Sequence, residues 1–262
     1  MKRIYRDILI LIGAFVIVWF VFSRINGFID TDTRILTADR QEKLAENLRK
    51  IVFQRYDTVD NQVVRTAVDS IAKRLEKAIG TSEHKFNVYI LNDTIVNAFA
   101  TLQGDIYIFS GLIRFSDSPE MLASVIAHEM GHIVNDHYVE RLSREIGINV
   151  VFTILTGGDA STIGELGKSL FSLSFSRDEE READKFAGDL LLKAGISPER
   201  STQFFLKLQR EDIGNFTETL EPFMTHPDMK ERIEETSKFK VPDDFAEKHF
   251  DFDWGLVIDQ LK

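Results

Sequence analysis

The sequence has 262 residues, a formal net charge of −10 and no cysteine, and 44% of its side chains are hydrophobic. This length and apolar content suffice for one compact domain, whereas the acidic balance lacks the basic block that binding to nucleic acid requires. Without cysteine, disulfides and thiolate nucleophiles are excluded, and any metal site has to use histidine and carboxylate ligands.

The first 37 residues are predicted to form a signal anchor and a linker, followed by one domain over residues 38–262. Basic residues precede the uncharged run 8–23, which Arg24 closes. A helix over this run is about 24 Å long and can anchor the chain in a membrane when Arg24 reaches the interface. The basic excess before the run places the domain outside the cytoplasm, on the periplasmic or extracytoplasmic side. A cleaved signal and a soluble secreted form are the alternative.

Two amphipathic helices are predicted after the linker, over about residues 39–56 and 61–79. Asp39 can cap the first helix, and Gly80 ends the second. Their apolar faces are typical of helices that pack over a core, and no chemistry is assigned to them.

A small sheet is predicted from strands at residues 86–91 and 106–109, which are rich in β-branched and aromatic residues. Between them lies the sequence Asn97-Ala98-Phe99-Ala100. This stretch fits a sheet edge that holds an extended peptide as an added strand, and it fits an ordinary hairpin equally well. The residues alone favour neither structure.

The motif His128-Glu129-Met130-Gly131-His132 lies on a helix predicted to begin at Pro119 after a Ser118 cap. Histidines four residues apart share one side of a helix, so both imidazoles can bind one tetrahedral metal ion. Glu129 flanks that side, where a carboxylate can act as general base toward water. The motif also arises by chance, and it then means only a pair of histidines on a helix surface.

A second helix that carries candidate functional side chains is predicted over residues 176–193. Glu180 and Asp184 lie one turn apart near its start. A carboxylate there can complete a His₂Glu site with one open position, and Asp184 can accept the second ring N–H of a ligand histidine. Three other acids are interpreted as solvated side chains at the helix start: Asp178, Glu179 and Glu182.

The remaining elements carry less chemistry. Helices are expected after Ser197 and from Pro227 onward. His137 lies about 180° from His128 around a continuous helix, so it is expected to make structural hydrogen bonds and not to bind the same metal. The tail over residues 238–262 receives no function.

Together these motifs resemble the gluzincin peptidases that include HtpX, the CAAX prenyl proteases, and the mitochondrial and periplasmic quality-control proteases, over about residues 97–233. H-E-M-G-H is similar to the active-site helix of that family, and S-R-D-E-E-R-E-A-D to its S-R-x-x-E-x-x-A-D block. The resemblance implies a zincin-like α+β domain, mostly helical, with a small sheet beside the H-E-x-x-H helix. It also implies one Zn²⁺ per chain.

The resemblance assigns roles to residues of the two main motifs. It implies His128, His132 and Glu180 as the zinc ligands, in preference to the other acids of the second motif. It implies that Asp184 hydrogen-bonds a ligand histidine without binding the metal itself, and that Glu129 is the catalytic base.

Two further motifs carry implied roles. N-A-F-A corresponds to the substrate-binding edge strand, which implies Asn97 and Ala98 in substrate binding. T-H-P followed by Arg232 corresponds to the family's late histidine motif. The resemblance therefore implies His226 near the zinc, where it stabilises the oxyanion or gates the open coordination site, and Arg232 as a substrate contact.

The leading hypothesis is a zinc metalloendopeptidase that cleaves unfolded or extended polypeptides, with misfolded or membrane-associated proteins as the substrates that the family implies. The main alternative is a latent or non-catalytic, zinc-bound and membrane-tethered chaperone or adaptor in which His226 occupies the open site. A third hypothesis is a helical anchor protein whose H-E-x-x-H motif arose by chance. Many family members carry several membrane spans, but this sequence offers one, so intramembrane and prenyl-peptide substrates are not expected.

Overall fold

The computed structural model describes residues 38–81, 84–141, 175–212 and 229–261. The predicted N-terminal anchor and His226 lie outside the described residues, so the anchor and the domain boundary after residue 37 stay predictions. Within these described ranges, no helix combines the length and the apolar character needed to cross a bilayer.

Helices dominate the described chain. In chain order they are α1 (Ala38–Arg55), α2 (Gln62–Ile79), α3 (Ser110–Phe115), α4 (Pro119–Val134), α5 (His137–Arg141), α6 (Arg177–Lys193), α7 (Glu199–Asp212), α8 (Met229–Ser237) and α9 (Trp254–Asp259). The strands are β1 (Asn87–Leu91), β2 (Ala98–Ala100) and β3 (Asp105–Phe109). The mostly helical architecture with a small sheet confirms that part of the predicted fold class.

Side-chain caps fix where three of the longer helices begin. The Asn61 side chain accepts the N–H groups of two residues in the first turn of α2, and Ser118 accepts the N–H of Met121 at the start of α4. At α6, Ser176 and Glu179 form a reciprocal capping box. The interpretation of Glu179 as a solvated side chain is therefore wrong, because its carboxylate is buried and bonds the Ser176 N–H.

The sheet has the order β1-β3-β2, with β1 parallel and β2 antiparallel to β3. A short 3₁₀ turn joins β2 to β3 and ends at Gly104, which has a φ of +78°. A Cβ there would lie 1.7 Å from the Lys85 carbonyl oxygen, so only glycine fits. Strand β2 is thus one arm of a hairpin and an edge of the described sheet, and the addition of a peptide to that edge stays a prediction.

The two faces of the sheet pack against different helices. On one face, side chains of β2 and β3 join the main core formed with α2, α4, α6 and α7: Ala98, Ala100, Ile106 and Ile108. On the other face, the Tyr107 ring stacks between Tyr89 and Phe99 with centroid distances of 5.3 and 4.8 Å, and Val52 of α1 packs beside it. The sheet thus lies between α1 and the helix that carries the H-E-x-x-H motif.

A buried ion pair fastens α1 to the sheet. Asp105 is fully buried, and Arg49 donates to its two carboxylate oxygens from Nε at 2.9 Å and from Nη2 at 3.0 Å. Asn87 adds a third hydrogen bond at 2.9 Å. This forked geometry compensates the cost of removing the carboxylate from water.

The C-terminal segment packs back onto the helical core. The Trp254 indole N–H donates to the Ser116 carbonyl at 2.8 Å. The Arg74 guanidinium of α2 lies 3.6 Å from the centroid of the Phe250 ring and donates to two carbonyls of the same segment. This segment, for which no function was predicted, is thus part of the fold and joins α2 to the loop before α4.

We expect Arg49→Met to lower the free energy of unfolding by about 2 kcal/mol, because it leaves the buried Asp105 carboxylate with neutral partners only. Urea unfolding of the full-length protein, followed by circular dichroism, measures the change. Arg65→Met is the matched control, since Arg65 forms an exposed ion pair with Asp60, and its loss should stay within about 0.5 kcal/mol. Equal losses in the two variants would contradict the structural role of Arg49.

Candidate metal centre

The structure brings together the three residues predicted to bind a metal. The Nε2 atoms of His128 and His132 lie 3.0 Å apart. The Glu180 carboxylate approaches them with Oε2 at 3.6 Å from Nε2 of His128 and Oε1 at 3.5 Å from Nε2 of His132. All three side chains are buried, and one donor atom from each lies within 4.8 Å of the others. That they bind a metal stays a prediction.

Close packing of α4 against α6 produces this convergence. At Gly131, a Cβ would lie 3.0 Å from the backbone of Ala183, so the two helices approach more closely than a larger residue allows. Gly131 lies next to His132, and Ala183 is three residues beyond Glu180. The glycine within the motif therefore lets the histidines of one helix reach the carboxylate of the other.

The tautomers of His128 and His132 follow from the hydrogen-bond partners of their Nδ1 atoms. His128 donates from Nδ1 to Oδ1 of Asp184 at 2.9 Å. His132 donates from Nδ1 to Nδ1 of His137 at 2.9 Å, and His137 donates in turn from Nε2 to Oε2 of Glu182 at 3.2 Å. Both Nε2 atoms of the pair therefore carry lone pairs directed at the space beside Glu180.

The donor set fits zinc. Ligands at zinc bond lengths of about 2.0–2.1 Å in a tetrahedron lie about 3.3 Å from one another. The two imidazole nitrogens here are 3.0 Å apart, and each has a different Glu180 oxygen at 3.5 or 3.6 Å. Two imidazole nitrogens and one carboxylate oxygen form a ligand set known from catalytic zinc sites, in which the fourth position is left for water or substrate. Facing lone pairs repel each other in a buried site, and a cation bound between them removes that repulsion.

Arg232 of α8 balances the negative charge of the centre. Its buried guanidinium lies 2.8 Å from Oε2 of Glu180 through Nη1, and it donates to Asp184 from Nη2 at 2.6 Å and from Nε at 2.8 Å. Nη2 also lies 3.3 Å from Nε2 of His128. The guanidinium thus contacts two carboxylates of the centre. The contact of Arg232 with substrate stays a prediction.

The electrostatics of this group keep Asp184 ionised. Burial acts to raise the pKa of Asp184, but the charge of Arg232 and the hydrogen bond from His128 outweigh it and lower the pKa to about 2. Burial acts to lower the pKa of Arg232, but Asp184 and Glu180 outweigh it and raise the pKa above its ordinary value. Asp184 is therefore a permanent acceptor for the N–H of His128.

Glu129, the predicted base, is 2% exposed and contacts a residue that the sequence analysis did not single out. The Tyr138 hydroxyl donates to Oε2 of Glu129 at 3.1 Å and accepts the N–H of Ala100 in β2 at 2.9 Å. Burial and the charge of Glu129 raise the pKa of Tyr138 well above its ordinary value, so the hydroxyl keeps its proton.

The two predicted substrate-binding residues of the edge strand are buried in this structure. Ala98 is 2% exposed and Asn97 is 8% exposed. The side-chain carbonyl oxygen of Asn97 has no hydrogen-bond partner within the part of the chain that the structure describes. Their contact with substrate stays a prediction, and so does the role of His226, which lies outside the described residues.

Sequence reasoning misplaced His137 and missed two other side chains around the histidine pair. Helix α4 ends at Val134, and Asp136 has a φ of +56°, so the chain turns back and brings His137 against His132. The argument from a continuous helix was wrong, although the expected structural hydrogen bonds are present. The Asn135-Asp136 pair, which favours turns, was the available signal. No such signal marked Tyr138 or Phe175. The Phe175 ring stacks on the His132 ring with a centroid distance of 3.8 Å.

A recess adjoins the predicted base. Its lining combines apolar and aromatic side chains with polar groups of the centre: Val125, Phe204, Phe205, His128, Glu129 and Arg232. The recess has room for about one water molecule next to Glu129.

Comparison with known proteins gives concordant matches. Residues 62–240 match the model of Peptidase family M48. Metalloprotease LoiP of Escherichia coli is 34% identical over 172 residues, which cover 63% of this chain and 66% of LoiP. The beta-barrel assembly-enhancing protease of Yersinia pestis is 29% identical over 185 residues, 66% of this chain and 37% of that protein.

A eukaryotic relative matches a longer stretch of the chain. The mitochondrial metalloendopeptidase OMA1 of Schizosaccharomyces pombe is 27% identical over 206 residues, 76% of this chain and 60% of OMA1. The matched region thus spans between 37% and 66% of the lengths of these three relatives.

We expect His137→Phe to weaken zinc binding by about tenfold to a hundredfold, because Nδ1 of His132 loses the acceptor that fixes its tautomer. Competition with a chelator of known affinity measures the dissociation constant. His249→Phe is the matched control, since His249 is 70% exposed and contacts Glu120 at the start of α4. A zinc affinity of His137→Phe within twofold of that of the unchanged protein would contradict the role of His137.

Proposed function

Because the chain belongs to peptidase family M48, we propose that it is a zinc-dependent metalloendopeptidase that hydrolyses peptide bonds of unfolded or extended polypeptides. The family resemblance indicated by the motifs is thereby confirmed. The observation that carries the proposal is the position of Glu129 on α4, next to a buried group of two imidazoles and one carboxylate that fits zinc.

In this proposal, the reaction uses a metal ion bound at the centre and a general base beside it. A zinc ion held by His128, His132 and Glu180 supplies Lewis acidity, which polarises the substrate carbonyl and acidifies a water molecule. Glu129 accepts the proton of the attacking water and returns it to the leaving amine.

The remaining charged residues orient the ligands. Asp184, with a pKa lowered to about 2, stays ionised and accepts the Nδ1–H of His128, which fixes the orientation of the ring and of its Nε2. Arg232 neutralises part of the charge of Glu180 and Asp184, which allows both carboxylates to remain buried and ionised. The pair Asp184–Arg232 thereby supports the metal site without taking part in bond cleavage.

Recognition of substrate through its main chain suits unfolded polypeptides of varied sequence. In β2, the Asn97 carbonyl and the Thr101 N–H bond β3, so the main-chain groups of Ala98 and Ala100 are directed away from β3. An extended peptide can add to this edge through Ala98. The recess beside Glu129 has room for a water molecule.

A second candidate is a latent or non-catalytic, zinc-bound chaperone or adaptor. The observation that favours it is the burial of the centre, in which His128, Glu129, His132 and Glu180 are 7%, 2%, 0% and 2% exposed. An edge strand that is equally buried has to open before a peptide can add to it. In the latent form His226 would occupy the open coordination position, whereas in the active enzyme it would stabilise the oxyanion.

We further propose that the N-terminal segment tethers the domain to a membrane and that the domain lies on the extracytoplasmic side. The basic residues before the run 8–23 support this orientation. One relative is named for enhancing the assembly of beta-barrel proteins, which supports misfolded or membrane-associated proteins as substrates. Sequencing the N-terminus of the mature protein distinguishes an anchored chain from one with a cleaved signal.

We expect Glu129→Gln to lower the rate of casein cleavage by about a thousandfold or more, because the amide cannot accept the proton of water. Zinc content should stay that of the unchanged protein, since Glu129 is not among the proposed ligands. Glu120→Gln, the same change at another buried glutamate of α4, is the matched control and should keep full activity. If the protein without a substitution binds zinc but cleaves no unfolded substrate, the result favours the latent candidate.

A further inference from the structure

Tyr138 joins the proposed base to the edge strand through a single hydroxyl. The Ala100 N–H donates to this oxygen at 2.9 Å, and the hydroxyl proton is donated to Oε2 of Glu129 at 3.1 Å. A hydroxyl has one proton to donate and lone pairs to accept with, so both contacts can form at the same time. Amide, hydroxyl and carboxylate therefore form a continuous chain of hydrogen bonds.

The pairing of β2 with β3 explains why the Ala100 N–H is available to Tyr138. Phe99 pairs with Tyr107, and the flanking bonds of Asn97 and Thr101 are also directed to β3. In an antiparallel pair the intervening residues direct their main-chain groups to the opposite side. The main-chain N–H and C=O groups of Ala98 and Ala100 therefore lie on the side of β2 that faces away from β3. The Tyr138 hydroxyl binds the N–H of Ala100.

The ring of Tyr138 is held independently of its hydroxyl. It meets the Phe175 ring edge to face at a centroid distance of 5.1 Å, and the His132 ring at 6.0 Å. These contacts come from the aromatic ring alone. Removal of the oxygen by Tyr138→Phe therefore keeps the packing and breaks only the two hydrogen bonds.

We propose that Tyr138 is a positioning residue that fixes the Glu129 carboxylate relative to the strand on which the substrate is laid. This inference rests on the proposed function. A peptide added to β2 pairs through Ala98, and the hydroxyl at Ala100 sets the distance from that peptide to the base.

The test compares full-length proteins that carry Tyr138→Phe and Tyr89→Phe. Tyr89 stacks on Tyr107 on the opposite face of the sheet, so its variant makes the same chemical change away from the base. We expect Tyr138→Phe to lower kcat for casein about tenfold, with KM and zinc content within twofold of the unchanged protein. Tyr89→Phe should match the unchanged protein in all three quantities.

A second measurement requires no activity. Hydrogen–deuterium exchange, followed by mass spectrometry of peptides that cover β2, reports on the Ala100 amide. We expect faster exchange there in Tyr138→Phe and unchanged exchange in Tyr89→Phe, because only the former loses the acceptor of that N–H.

The outcomes separate this inference from the proposed function. A wild-type kcat in Tyr138→Phe overturns the positioning role, and unchanged exchange at Ala100 overturns the bridge on which it depends. If the unchanged protein cleaves no substrate at all, the proposed enzyme fails and the positioning role fails with it. Faster exchange at Ala100 together with the loss of kcat supports the inference.

Discussion

The structure depends on two imidazole nitrogens, both with lone pairs, that lie 3.0 Å apart beside a buried carboxylate. Such an arrangement is repulsive without a cation, because burial removes the water that would otherwise solvate the lone pairs and the charge. Asp184 and His137 hold the protons on the far side of each ring, and Gly131 lets the two helices come close enough for the third donor to reach the pair.

The charges around this centre are balanced within the protein. Arg232 contacts two of the carboxylates, and Tyr138 donates to a third, so each ionised group has a fixed partner away from solvent. Buried charges that are paired in this way are costly to rearrange, which favours one geometry of the centre over alternatives. A recess lined by His128, Glu129 and Arg232 adjoins this buried centre.

The local elements were predictable from sequence because their causes are local. Ser118 and Pro119 mark the start of α4, and histidines four residues apart lie on one side of any helix. The approach of Glu180 was a harder inference, since it depends on how two helices separated by some 40 residues pack. The resemblance to a family, and not the spacing alone, distinguished Glu180 from its acidic neighbours.

Contacts that form after the end of α4 were beyond sequence reasoning. The prediction for His137 assumed that the helix continues, and one residue with positive φ, Asp136, changed its direction. Tyr138 follows directly and acquires its role from a strand that precedes it by nearly forty residues. Neither the pairing of β2 nor the closure of the tail through Trp254 leaves a periodic pattern in the sequence, because each is a single contact between distant segments.

Zinc analysis of the purified full-length protein tests the central claim most directly. Elemental analysis should give one zinc per chain, and absorption at the zinc edge should show two imidazoles with oxygen ligands and no sulfur. His128→Ala and His132→Ala should each remove the metal while the helical circular dichroism remains. A folded protein without stoichiometric zinc, or one that retains its zinc in both variants, would contradict the assignment of this centre.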